Sequence, residues 1–496
     1  MPVKQLPDEF TCIAVDMGAG SIRVMLGAID GKGISEREDI SYREVHRIPN
    51  EPVFRDGHDR WDMDRIVREI KTGILKAVDV SPYPPLSIGV DSWGVDFILL
   101  DDRNHLLETP VSYRDKRTAG MRELWNTMMP EMETFRRTGI NFYLFNTLFQ
   151  VLSIRDSTLL KNASRLLFMP CYIGGLLSGR AVNELTIAST SQMLEVRGDR
   201  WDDRILELLD VDKALFGEVV PPGTRLGSVT LPGAEGMEHV AVCGHDTACV
   251  VAAIPSTEPG YAYISAGTWC IVGVESDTPL LTEDALRFGL TNERGYGNTY
   301  RILKNITGLW LLQGLKEHLP AGTSYADMET MTRDGGPIAQ LIDPDDPVFY
   351  HPADMKDAFD SFFRKTGQPL PESFSGYLLC AYDSLCFSFR HQIEKLEQFT
   401  GKNISVLHVV GGGSQSEYLC QRIADSCGRK VVAGPVEGAT LGNILIQALA
   451  MGRIKNLAEG RALIRKSCQL KIYQPAADLE RTTKHYLKFL QLKDKQ

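Results

Sequence analysis

Two short strings of polar residues have the types and spacing needed to handle a phosphorylated ligand. Asp16 ends a β-type run and is followed by Gly18, Gly20 and Ser21, a carboxylate beside a loop open enough for phosphate oxygens to reach the main chain. A carboxylate next to phosphates needs a cation between them, and hard oxygen ligands favour Mg²⁺. The same string is also consistent with a plain turn. No Gly-Lys-Ser/Thr follows it, so it is not a Walker loop. The second string, Ala241-Val-Cys-Gly-His-Asp-Thr-Ala248, sets His245, Asp246 and Thr247 where a short apolar strand gives way to helix-like residues 247–253. Carboxyl ends of strands in open α/β sheets are where ligands bind, which suits Asp246 to the role of general base towards a hydroxyl. Capping of the next helix is the competing role for Asp246 or Thr247. His245 reads as a hydrogen-bond partner, since no His or Cys stands at metal-ligand spacing from it.

Three further segments are less specific. The glycines at 411–413 follow a strand and precede a helix, which would let an adenine or a phosphate approach the backbone, but they lack the Gly-x-Gly-x-x-Gly pattern of a dinucleotide site. Gly89-Val-Asp-Ser-Trp-Gly-Val-Asp96 gathers two carboxylates, an aromatic and a flexible glycine, a composition suited to gripping a polyol and equally to an edge strand with a buried Trp93. Tyr113-Arg-Asp-Lys-Arg-Thr118 offers Arg114 and Asp115 to a substrate or to solvent.

These residues need elements to carry them. Residues 11–29 read as two β-runs joined by the Gly-rich turn, a hairpin with polar groups at its tip. Residues 260–275 repeat the pattern with Gly267 and Thr268 in the turn, about half the chain away. The recurrence predicts two related halves, 1–253 and 254–496, with a ligand cleft between them and the turn-rich residues 254–260 as boundary. Elsewhere strands alternate with helices. Residues 86–90, 97–100 and 405–410 are β-like, Ile66, Ile70 and Ile74 recur at helical spacing behind Asp62, and residues 417–426 and 439–451 are helical. That alternation predicts an α/β protein with largely parallel sheets.

Composition narrows the function classes. The chain has 496 residues, 43% hydrophobic and 24% charged, which is ordinary globular usage. Its net charge of −10 repels a phosphodiester backbone, so nucleic acid is not an expected partner. No apolar run approaches the roughly 18 residues of a bilayer span and the first residues lack a leader's apolar core, so a cytoplasmic protein without membrane association is expected. Its ten cysteines show no zinc-ribbon spacing and are expected as reduced thiols.

Taken together, the motifs resemble the FGGY carbohydrate kinases of the actin and hexokinase superfamily, and within them the members acting on L-rhamnulose. The resemblance runs from about Thr11 past Asn443. It is carried by the Asp16–Arg23 hairpin, the strings at 89–97 and 110–118, Phe145-Asn-Thr-Leu148, Gly244-His-Asp-Thr-Ala248, Ser265-Ala-Gly-Thr-Trp269, the string at 301–313, Val410-Gly-Gly-Gly-Ser-Gln415 and Gly434-Pro-Val-Glu-Gly-Ala-Thr-Leu-Gly-Asn443. It implies an α/β fold of two actin-like (ribonuclease H-like) domains flanking a nucleotide- and sugar-binding cleft. It also implies transfer of the γ-phosphoryl of ATP, with Mg²⁺ as cofactor, to the 1-hydroxyl of L-rhamnulose in L-rhamnose breakdown. By the matched motifs, Asp246 is the base and Asp16 holds the metal. Gly94, His245, Asp246, Thr247 and Asn305 take the sugar, and Ala19, Gly20, Ser21, Ile22, Arg23, Thr268, Gln313 and Gly412 take ATP. The partners implied are sugar and ATP alone, for a monomer or small homo-oligomer. Two positions depart from the family pattern: Ile22 stands where a glycine is common, and Cys171 stands where Asp commonly follows Met-Pro. Alternatives are a kinase of the same family for L-fuculose, L-xylulose or another ketose, and a non-catalytic ATP-dependent switch with the same core.

Overall fold

The computed structural model describes residues 9–30, 39–333, 340–350, 352–476 and 479–493. The chain divides into two compact units. The first takes in Met1–Pro255, Glu275–Ile302 and Gly438–Ser467, and the second Ser256–Val274, Leu303–Glu437 and Cys468–Gln496.

In the first unit, β1 (Glu9–Met17) and β2 (Ser21–Asp30) form an antiparallel hairpin, with β3 (Ile40–Pro49) beyond β2. On the other side β4 (Ser87–Ser92) runs parallel to β1, followed by β6 (Glu238–Ala241) parallel to β4 and by β5 (Thr224–Ser228) antiparallel at the edge. The sheet order is therefore β5-β6-β4-β1-β2-β3. β1 is buried from Phe10 to Met17, as a central strand covered on both faces must be. On one face lies helix Met63–Val80, whose Ile66, Ile70 and Ile74 are buried and whose first turn is capped by Asp62, accepting from Arg65 N at 3.1 Å.

The opposite face is covered by helix Gly438–Ala450. A Cβ at Gly442 would collide with the Cys249 carbonyl, so glycine there sets how closely this helix packs on helix Asp246–Ala252. Its polar side chains lock onto the strands: Gln447 Nε2 donates to the Ile13 carbonyl at 3.0 Å, and Ser87 Oγ donates to Gln447 Oε1 at 2.7 Å. Strand alternation puts Asp16 and Asp91 on this same face.

The second unit repeats the plan. β7 (Tyr261–Ala266) and β8 (Trp269–Ser276) form an antiparallel hairpin, β9 (Val406–Val410) is parallel to β7, β10 (Lys430–Ala433) is parallel to β9, and β11 (Lys471–Tyr473) is antiparallel at the edge. Helices Phe374–Thr400 and Glu417–Cys427 accompany these strands. Both hairpins and the helices and strands read from the sequence are present, and each unit has the actin-like core of an antiparallel hairpin extended by parallel strands.

The segment 89–96 is an exception. β4 is a central strand between β1 and β6, not an edge strand, and Asp91, Trp93 and Asp96 are all buried, with the Trp93 indole bonded to Asp96. All ten cysteines are free thiols. Among the described residues no helix is long and apolar enough to cross a membrane.

Candidate active site

In the first unit the carboxyl ends of three parallel segments are laced together. Ser92 N donates to the Gly244 carbonyl at 2.9 Å and Trp93 N to the Met17 carbonyl at 3.1 Å. Across the row, Arg23 on β2 faces Asp16 on β1, which faces Asp91 on β4. Arg23 Nη2 donates to Asp16 Oδ2 at 2.5 Å. Asp91 is fully buried; its Oδ2 accepts from Asn443 Nδ2 at 2.6 Å, and its Oδ1 has no partner among the described residues. Burial, and then the neighbouring Asp16, push its carboxyl well above the usual range. Two carboxyl groups in cross-strand register, one with an oxygen left unbonded, form a hard-oxygen set of the kind that suits a small divalent cation. Among the described residues no group of three or more His, Cys, Asp or Glu is arranged to hold a metal, so a cation here would complete its shell with water and phosphate oxygens.

The β1–β2 tip is braced from below. Gly18 N donates to the Ser21 carbonyl at 2.9 Å, Asn50 Nδ2 to the Gly18 carbonyl at 2.9 Å, and Asn50 N to the Gly20 carbonyl at 3.0 Å. A Cβ on Gly18 would stand 2.9 Å from the Ser21 carbonyl oxygen, whereas around Gly20 there is open space. Ala19 and Ser21 are half-buried and Gly20 is exposed. Ile22 points the other way, into the core with Val24 and Ile66, so its bulk faces the interior and only its main chain borders the tip. Arg114 Nη2 lies 3.5 Å from the Ala19 carbonyl, while Asp115 is spent on structure, accepting from Asp59 N, Arg117 N and His58.

Beyond β6 the chain enters helix Asp246–Ala252 with His245 at the N-cap, whose own side chain makes no capping bond, so a first-turn amide falls to the Asp246 side chain. Asp246 Oδ1 accepts from Thr247 N at 2.6 Å, and about a quarter of the side chain is exposed. His245 Nδ1 lies 2.9 Å from Asp246 Oδ1 but out of line with it, without a hydrogen-bond partner. His245 Nε2 lies 2.9 Å from Thr247 Oγ1 and 3.4 Å from Glu293 Oε2. Burial disfavours the imidazolium, but Asp246 and Glu293 outweigh it and raise the ring to about 9. Glu293 is buried, yet Arg301 and His245 hold it down at about 2.

Gly94 faces this cluster: a Cβ there would come within 3.6 Å of His245 Cε1 and 3.4 Å of Thr190 Oγ1. Next to it Val95 adopts φ +67, a conformation costly for a β-branched residue. Its amide donates to Thr190 Oγ1 at 3.2 Å, and its carbonyl accepts from Thr147 Oγ1 at 2.7 Å and Gln150 Nε2 at 3.3 Å. Asp96 anchors the far side, accepting from Trp61 Nε1 at 2.6 Å, Trp93 Nε1 at 2.9 Å and Gln150 Nε2 at 3.1 Å. Cys171, half-buried in the first turn of helix Met169–Ser178, accepts from Glu184 N at 3.3 Å.

In the second unit the β7–β8 tip is held by helix Trp310–Lys316 and the turn before it. Leu309 N donates to the Gly267 carbonyl at 2.9 Å, Trp310 N to the Thr268 carbonyl at 3.1 Å, and Gln313 Nε2 to Thr268 Oγ1 at 3.3 Å. The glycines after β9 close on the same strand: Gly411 takes φ +79, a Cβ on Gly413 would run into the Ala266 methyl, and Gly412 has open space around it. Thr268, Gln313 and Gly412 thus border one end of this sheet. Asn305, half-buried on strand Tyr300–Thr307, belongs to the second unit as well.

Sequence reasoning missed Glu293, Thr190 and Asn50. Arg301, with no exposed side-chain surface, had a signal in retrospect: a charge inside the β-type run Tyr300-Arg-Ile-Leu-Lys304. Glu293, Thr190 and Asn50 had none, since one polar residue in a loop or short strand is ordinary.

An actin-like core in each unit, a glycine-bordered hairpin tip in each and a partly open carboxylate at a strand end fit a carbohydrate kinase. The chain belongs to the FGGY family of carbohydrate kinases: the family's N-terminal domain matches residues 11–253 and its C-terminal domain residues 262–451. It is an ATP-dependent sugar kinase. It is 38% identical over 469 residues to the rhamnulokinase of Bacteroides thetaiotaomicron, covering 93% of this chain and 95% of that one. It is 36% identical over 479 residues to the rhamnulokinase of Bacillus subtilis, covering 95% and 96%. Among solved structures, a ligand-bound xylulose kinase from Lactobacillus acidophilus superposes with a TM-score of 0.80 at 15% identity over 98% of this chain and 97% of that one. Glycerol kinase of Plasmodium falciparum with ADP superposes with a TM-score of 0.77 at 13% identity over 98% of both chains.

Proposed function

We propose that this protein phosphorylates L-rhamnulose at its 1-hydroxyl, with Asp246 as the general base. The observation that carries the reading is the contrast among three carboxylates at the strand ends: Asp16 and Asp91 are buried, whereas Asp246 keeps about a quarter of its side chain exposed, as a group receiving a substrate proton must. Transfer of a phosphoryl group passes through a loose transition state, so the residues mainly align the hydroxyl and balance charge. Gly94 leaves room for the sugar, His245, Thr247 and Asn305 bind its oxygens, and Asp246 accepts the 1-hydroxyl proton as the oxygen attacks.

ATP is received by the main chain of Ala19, Gly20, Ser21 and Ile22 with the Arg23 guanidinium, and by Thr268, Gln313 and Gly412. Residues 1–253 then form the sugar- and metal-binding domain and residues 254–496 the nucleotide-binding domain. The carboxylate set at Asp16 fits Mg²⁺, which when bound neutralises phosphate charge. With a net charge of −10 the protein's overall field does not attract ATP, so local groups must hold it. The reading extends to a cytoplasmic enzyme, monomeric or a small homo-oligomer, without a nucleic-acid partner. Resemblance to relatives named rhamnulokinase supports the choice of sugar. A coupled ADP-release assay over L-rhamnulose, L-fuculose and L-xylulose tests it: the highest kcat/KM is expected with L-rhamnulose, and equal or better turnover of another ketose overturns it.

A further inference from the structure

We infer that Glu293 and Arg301, a buried ion pair outside the expected sugar-binding set, are positioning residues that make Thr247 and His245 obligate hydrogen-bond donors towards the acceptor sugar. The inference rests on the reading that His245 and Thr247 hold that sugar. Its logic is a donor and acceptor count. A guanidinium only donates. Arg301 Nη1 donates to Thr247 Oγ1 at 2.6 Å, Nη2 to Glu293 Oε2 at 2.7 Å, and Nε to the Arg294 carbonyl at 3.1 Å. The Thr247 oxygen is therefore an acceptor on its buried side, and its own proton has to go elsewhere.

His245 decides where. A carboxylate flanks each ring nitrogen, Asp246 at 2.9 Å from Nδ1 and Glu293 at 3.4 Å from Nε2, and both favour a proton on the nitrogen they face. With Nε2 protonated, Thr247 Oγ1 accepts from His245 as well as from Arg301, and its hydroxyl proton points out of the cluster. At the other end of the ring, the Nδ1 proton is buried with no aligned partner among the described residues, and the glycine at 94, rather than a side chain, borders the ring beside it. Two donors are thus presented beside the accepting carboxylate of Asp246. A ketose matches that pattern, since its carbonyl or ring oxygen can only accept while its 1-hydroxyl gives up a proton.

The other charged groups around His245 are Glu184, which accepts from Gly244 N at 2.8 Å, and Asp91, which acts on Asp246 from β4. Glu184 is engaged by the amides of Thr186, Ile187 and Gly244, and Asp91 by the Asn443 amide. The Glu293–Arg301 pair is what distinguishes a donor cluster from a neutral imidazole with a Thr247 hydroxyl turned inward to it.

The test is the KM for L-rhamnulose measured from about pH 6 to about pH 10 in the wild type and in Glu293→Gln. In the wild type the KM is expected to stay flat through neutrality and to rise only as the pH passes the His245 value of about 9. Glu293→Gln removes the negative charge with little change of shape. It is expected to move the alkaline rise of the ketose KM down by about one pH unit or more, so that near pH 9 this KM exceeds the wild-type value by about fivefold, leaving the KM for ATP unchanged. Arg301→Lys keeps one donor to Thr247 and should fall between the two. A wild-type KM that already rises through the ordinary histidine value of 6.5 overturns the inference, and so does a Glu293→Gln profile that overlays the wild type. If Glu293→Gln does not fold, the wild-type profile still decides. Failure of the sugar-site reading looks different: efficient transfer to the ketose with a KM indifferent to Thr247→Val.

Discussion

At the end of β1, two positions before the turn glycine, stands Asp16; at the end of β7, two positions before its turn glycine, stands Ser265. Asp16 is paired with Arg23 and lies in register with the buried Asp91, whereas Ser265 lies in register with the apolar Val410. The strand that follows β4 in space, β6, leads to His245, Asp246 and Thr247, while the strands beside β7 lead to the glycines at 411–413. One backbone plan therefore carries two chemistries. In the first unit the strand ends gather carboxylates, a guanidinium and an imidazole, the groups needed to balance charge and take up a proton. In the second they gather hydroxyl, amide and bare main chain, which would serve phosphates at the Gly267–Thr268 tip and an adenine or a phosphate at the glycines 411–413. Topology alone does not assign a role to either hairpin; the residue types at the strand ends do.

The contrast between the two units makes three predictions, in order of expected size. The largest effect is expected on removing divalent metal: a chelator should lower transfer by about 10³-fold or more, since the cation offsets several kcal/mol of phosphate charge. Full activity after exhaustive chelation would leave the Asp16–Asp91 pair without its expected use. A smaller effect should follow Thr268→Val in the second unit. Losing the hydroxyl that accepts from Gln313 should raise the KM for ATP by about three- to tenfold and leave that for the ketose alone. A shift confined to the ketose KM would reverse the division between the units. The smallest effect is on stability. Gly18→Ala forces a Cβ against the Ser21 carbonyl and should cost about 1–3 kcal/mol, seen as a fall of a few degrees in Tm, while Gly20→Ala should cost less because the space there is open.

Much of this was legible from residue spacing. The two hairpins announce themselves as β-runs broken by glycine, and helix Met63–Val80 by Ile66, Ile70 and Ile74 behind Asp62. The 244–248 string was readable because a short apolar strand stops at glycine just before three polar residues. What could not be read is direction and long-range partnership. Trp93 and Asp96 look like a sugar platform in sequence, yet they bond to each other and to Trp61, because β4 turned out to be central and its end folds inward. Glu293 meets His245 across a gap of nearly fifty residues that no periodicity encodes. Ile22, a departure beside the expected phosphate loop, is explained by strand alternation, which aims it at the core. Cys171 still accepts a backbone N–H, from Glu184, as a carboxylate there could.

The central claim is that the first unit supplies the base, and the substitution Asp246→Asn tests it most directly. Measured with L-rhamnulose, ATP and Mg²⁺, the variant should keep its fold and its affinity for ADP while kcat falls by about 10²–10⁴. Turnover close to the wild type would contradict the account, because among the described residues the other carboxylates at these strand ends, Asp16 and Asp91, are buried.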